Sequence, residues 1–171
     1  MAYYGTLADA NVYNADRGRA DWAAGTEPDR EAALVRGSDY VDQRYGAQAC
    51  GCGGPAFPGK KTGGREQERE WPRTGATDRA GNPIPDDEVP IEVERATYEA
   101  AYRELLNPGS LSPDYVPAQL VNKEKVGPIE VGYAVSQDAD GNPLRPVVTV
   151  IDEILSGLLT KAFCWPAVRV V

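Results

Sequence analysis

Lys60, Lys61, Arg65, Arg69 and Arg73 form the densest run of positive charge in the chain, and Trp71 lies within it. Cations beside an aromatic ring can hold a single nucleic-acid strand, the cations on phosphates and the ring under a base. Glu66, Glu68 and Glu70 dilute the run, so five cations against three carboxylates leave a net of +2. The competing reading is a loop whose Trp71 packs into the core or against another subunit. Packing is the preferred reading of the two.

Other groupings imitate chemistry and fall short of it. Gly54 to Lys60 looks like the start of a phosphate loop. Lys61 stands where Ser or Thr would hold Mg²⁺, and Pro55 and Pro58 remove N–H donors. Cys50 and Cys52 supply half of a zinc site, with Cys164 the only other thiol. A metal shared between subunits is the alternative to plain reduced thiols. Asp138, Asp140 and Asn142 around Gly141 sketch a calcium loop that lacks its closing carboxylate. Asp86, Asp87 and Glu88 could pair for acid–base work, but they sit just ahead of a helix, where negative charge steadies the positive end. The chain has no histidine, which removes the Ser-His-Asp and two-His metal arrangements. Neither a cofactor, a metal nor a catalytic residue is expected, and the chain reads as a non-enzyme.

Charge bears on partners. The 171 residues carry 18 basic and 26 acidic side chains, a net of −8. Nucleic-acid binders usually present a basic face, since phosphate neutralisation supplies most of their affinity. This chain can hold a basic patch only locally. No apolar run is long enough for a membrane span. Nothing at the start reads as a secretory signal, and three cysteines argue against a disulfide framework. The expected compartment is a reducing cytoplasm.

Four helices are expected to position these residues, over residues 6–17, 27–45, 90–106 and 149–159. Thr6 and Thr26 read as N-caps, Pro28 suits a first turn, and Gly18 and Gly46 read as stops. Leu34, Ser38, Val41 and Tyr45 make one stripe of the second helix. The 90–106 helix has two apolar stripes, Val93, Ala96 and Ala100 on one side and Ile91, Tyr98, Tyr102 and Leu105 on the other. Glu92, Arg95, Glu99 and Arg103 share a narrow polar face between them. Two stripes imply a central helix, or one that also packs on a neighbouring subunit. Thr149 is the expected cap of the last helix. Residues 46–64 form a long Gly-rich loop, 65–71 a short helix, and 120–134 a β-hairpin around Gly127 and Pro128. The expected fold is mainly α: a small helical bundle with a projecting β-hairpin and an extended C-terminal arm. Its parts are a helical core over 1–116, the hairpin region over 117–145, and the last helix and arm over 146–171.

The stretches Tyr4 to Ala10, Arg44 to Gly46, Thr62 to Gln67 and Glu70 to Ala76 follow in an order that resembles a known family. Ile84-Pro85, Val89-Pro90, Ala96 to Leu105 and Lys123 to Pro128 continue the resemblance over nearly the whole chain, with Trp71 to Gly75 its most specific part. The family is one of tailed-phage proteins catalogued as DnaT-like single-stranded-DNA-binding proteins, and it is similar to head–tail connector adaptors. The insert from Cys50 to Pro55 lengthens the family's loop.

The resemblance implies two functions of different kinds. One is a structural adaptor in the virion neck, made in the host bacterial cytoplasm. A ring of about twelve copies would join the portal protein to a stopper or tail-terminator and let double-stranded DNA pass. The other is a replication protein that coats single strands. An acidic chain repels passing DNA, which favours the adaptor as the expectation. On that reading Leu155, Leu158, Phe163, Trp165 and Val168 form the portal-facing arm, and Trp71, Arg73, Tyr98 and Tyr102 are contacts between subunits.

Overall fold

Thr6 and Thr26 start two helices by the same device. The Thr6 hydroxyl accepts the Asp9 N–H at 3.1 Å and opens α1, Leu7–Ala15. The Thr26 hydroxyl accepts the Asp29 N–H at 3.3 Å and opens α3, Glu27–Tyr45, with Pro28 in the first turn. Each cap satisfies a donor that the helix itself cannot, an effect of about 1 kcal/mol. Between them lies α2, Ala20–Ala24, a short helix that the sequence expectation missed. The structure is a computed structural model that describes residues 2–46, 56–113, 123–126, 129–132 and 147–159.

The central element is α4, Ile91–Leu106, which packs against α1, α2, α3 and α5 (Thr149–Leu155). Its two apolar stripes serve two separate clusters. Val93, Ala96 and Ala100 join Tyr4, Trp71 and Ile151. Tyr98 joins Trp22 and Leu34, with Tyr102 and Leu105 at the border. Ile91, expected in the second stripe, is instead 51% exposed, because the first position of the helix lies past the edge of that cluster. The α3 stripe is as expected, with Leu34, Ser38, Val41 and Tyr45 all buried.

A close backbone approach locks α3 to α4. A Cβ on Gly37 would lie 2.8 Å from both the Ala101 nitrogen and the Thr97 carbonyl oxygen. Only glycine permits that spacing.

The remaining elements are small. Val148, not Thr149, holds the cap position of α5, and the helix ends at Leu155 rather than at 159. Leu158 and Leu159 follow it and are buried in the first cluster. β1, Lys60–Lys61, pairs antiparallel with β2, Arg73–Thr74, with Lys60 opposite Thr74. The expected helix over 65–71 is replaced by a single 3₁₀ turn at Gly64–Glu66. Gln67 is the reason: its amide donates to the carbonyls of Arg69 and Pro72, both at 2.9 Å, and its carbonyl oxygen accepts the Gly63 N–H at 2.7 Å. Those bonds hold a bend that a helix cannot make. β3, Lys123–Val126, and β4, Ile129–Gly132, form an antiparallel hairpin with Lys123 opposite Gly132. The architecture is mainly α, with two small antiparallel strand pairs among the described residues. No helix among the described residues is long and apolar enough to cross a membrane.

Candidate nucleic-acid interface

The basic run of the 60–73 segment is largely engaged inside the fold. The Arg69 guanidinium lies 2.6 Å from Asp39 and 3.2 Å from Asp42 and also bonds the Ala2 carbonyl. The Tyr4 hydroxyl donates to Asp42 at 2.5 Å and accepts the Trp71 N–H at 3.0 Å. Burial, and then the Asp42 charge, push that hydroxyl's pKa well above the ordinary tyrosine value. Arg73 donates to the carbonyls of Pro58 and Gly59 at 2.6 and 2.9 Å and to the Glu70 carboxylate at 2.6 Å. Lys61 pairs with Glu70 at 3.1 Å. Only Lys60 and Arg65 of the five stand exposed.

Trp71 cannot serve as a stacking platform. It is 1% exposed, with the Phe57 ring edge-on at 5.6 Å. The segment therefore works as a buckle that ties the N-terminal residues and the loop before β1 onto α3.

A second gathering of cations was not anticipated. Glu99 was expected on the narrow polar face of α4, and it is 2% exposed. Arg17 and Arg19, from the connection between α1 and α2, cover it. Arg19 Nη2 donates to both carboxylate oxygens, at 2.7 and 2.8 Å, and Nη1 to the Asn14 side chain at 3.1 Å. Arg103, one turn along α4, donates to the same carboxylate at 2.9 Å and to the Glu99 carbonyl at 2.8 Å. The Tyr13 hydroxyl adds a bond of 3.0 Å, and Arg17 Nε lies 3.6 Å away. Burial alone would raise the Glu99 pKa, but the bonds from Arg103 and Arg19 outweigh it and hold the carboxyl below its ordinary value. Tyr13 shifts the other way, pushed up to about 12 by burial and the Glu99 charge. Two rings brace the cations: the Arg17 guanidinium lies 3.4 Å from the Tyr13 centroid and that of Arg19 4.4 Å from the Tyr102 centroid. The Arg17-Gly18-Arg19 run just past a helix end, where cations suit the negative terminus, is the one sequence signal that pointed here.

The other expected contact residues are placed as follows. Leu155 and Leu158 are buried in the first cluster, and Tyr98 is buried in the second. With Trp71 and Arg73 also buried, Tyr102, half-buried, is the member of that set with surface to offer. Phe163, Trp165 and Val168 lie outside the described residues, as do Cys50, Cys52, Asp138, Asp140 and Asn142. Asp86 accepts from the Thr74 hydroxyl at 2.8 Å, and its carbonyl accepts from Thr62 at 2.8 Å. It anchors the loop, while Glu92 and Glu94 supply the negative charge in the first turn of α4. Among the described residues no three His, Cys, Asp or Glu side chains gather as a metal site would need.

A family model matches residues 3–170 of the chain. No curated protein and no solved structure matches it. The match corrects two expectations. The matched family is described as single-stranded-DNA binding and not as a head–tail connector adaptor, and the partner that its description points to is a single strand rather than a portal, a tail protein or passing duplex DNA. A net charge of −8 does not decide between the two, because a global value hides how the cations are distributed. The chain belongs to the family described as "Putative DnaT-like ssDNA binding protein".

Proposed function

We propose that this protein binds single-stranded DNA as a replication-type accessory protein, without enzymatic activity of its own. The family match over residues 3–170 carries the reading. The net charge of −8 is compatible with it. At about 0.1–0.15 M salt, charges more than about 8–10 Å apart are largely screened, so a local cationic surface governs contact with a strand. Arginines stacked on tyrosines are suited to that contact, since the strand offers phosphates and ring faces together.

The test is fluorescence anisotropy of a labelled oligothymidine of about 20 nucleotides, long enough to cover a site of about 4–16. Saturable binding at low salt, stronger than to a duplex of equal length, is the expected result. An anisotropy that stays flat at about 50 mM salt, where phosphate contacts are strong, would remove the reading.

A further inference from the structure

The Glu99 node carries more positive charge than its own structure uses. Three guanidinia surround one carboxylate, so among the described residues two positive charges are left without a carboxylate partner. No second carboxylate lies within 4 Å of Arg17, Arg19 or Arg103 among the described residues, although Asp16 and Asp21 are exposed nearby in sequence. Each guanidinium has five N–H donors. Arg17 uses Nη1 on the Tyr13 carbonyl, and Arg103 uses Nη1 on Glu99. Nη2 of both arginines makes no hydrogen bond to any described residue. Their side chains remain 42% and 34% exposed, against 18% for Arg19.

The cluster is also held in place before any ligand arrives. Glu99 tethers all three guanidinia, and the Tyr13 and Tyr102 rings brace two of them. A guanidinium already fixed in position loses little freedom on binding an anion. Its planar fork matches two oxygens of a phosphate. The 60–73 segment offers nothing comparable: its ring is buried, and among the described residues no aromatic ring stacks on Lys60 or Arg65.

We propose that Arg17 and Arg103, held around Glu99 beside Arg19, are the phosphate-binding subsite for a single DNA strand. This rests on the single-strand reading above and adds the residues that perform it. Arg17 and Arg103 take the phosphodiester oxygens. Arg19 mainly orients Glu99 and shields the Tyr102 face.

The experiment compares the full chain with Arg17→Gln, the Arg17→Gln/Arg103→Gln double variant, Arg17→Lys, and a Lys60→Gln/Arg65→Gln control. Each is titrated into labelled oligothymidine across a salt series. Each lost phosphate contact should flatten the slope of log K against log salt by about 0.7 and weaken binding at about 50 mM salt by about tenfold. Arg17→Gln should show one such step and the double variant two; Arg17→Lys should keep the slope, because its charge remains, and bind more weakly for want of the fork, and the Lys60/Arg65 control should show neither change. Arg17 is the most exposed of the three, so the single variant decides the matter even where the double one unfolds. If both Arg17→Gln and the double variant bind with unchanged slope while the Lys60/Arg65 control weakens, the subsite lies on the loop and the present assignment is wrong, with single-strand binding intact. If the unmodified chain does not bind, the single-strand reading fails and the subsite fails with it.

Discussion

Replacing Glu99 by Gln keeps the shape of the side chain and removes its charge. The carboxylate accepts from Arg19 at 2.7 and 2.8 Å, from Arg103 at 2.9 Å and from the Tyr13 hydroxyl at 3.0 Å. In the amide, one acceptor becomes a donor that faces other donors. A hydrogen bond to a charged group contributes about 1.5–3 kcal/mol when its loss strands a buried partner. The three arginines are partly exposed and can turn toward water, which reduces the sum. Glu99→Gln should therefore destabilise the fold by about 2–3 kcal/mol, a fall in Tm of about 5–10 °C for a chain of this size. The pH dependence has a definite sign. The folded-state pKa of Glu99 is lowered, so its contribution is fully present above the ordinary value of 4.5 and is lost as pH falls through the lower folded value. Thermal melts by circular dichroism should show the gap between the two proteins at neutral pH and its narrowing on acidification below that value. A melt that coincides with that of the unmodified chain at neutral pH would refute the node as a structural element.

Gly37→Ala should lower stability by about 1–2 kcal/mol, since forced overpacking outweighs the gain of about 1 kcal/mol in helix propensity; an unchanged urea midpoint would count against the α3–α4 contact. Arg69→Met leaves Asp42 and the Ala2 carbonyl without their cation and should cost about 3 kcal/mol, read by urea unfolding; a change within error would show that the buckle is not needed. In a Trp22→Phe/Trp165→Phe variant, Trp71 fluorescence should stay unquenched when oligothymidine is added, because the ring is 1% exposed. Strong quenching would put the strand on the 60–73 segment after all.

The long helices were legible because their signals are local. Thr6, Thr26 and Pro28 announce helix starts, and the two stripes of α4 announce a helix buried on both sides. α2 was missed because five residues are too few to show a period, and Arg19 makes no side-chain cap. The β1–β2 ladder escaped because two residues pair with partners twelve and fourteen positions away, which leaves no alternation to read. The candidate site was the less legible part. Sequence shows five cations around Trp71 but not that Arg69 and Arg73 turn inward onto Asp39, Asp42 and the Pro58 carbonyl. Nor does it show Arg19 meeting a carboxylate 80 positions away. Charge counting finds where cations are written, and only packing decides which of them keep free donors.

The most direct test of the account is the salt dependence of single-strand binding by the unmodified chain. Two arginine–phosphate contacts predict a slope of log K against log salt of about −1.4, and a duplex of equal length should bind more weakly. Absence of binding at low salt, or affinity that does not respond to salt, would contradict the account.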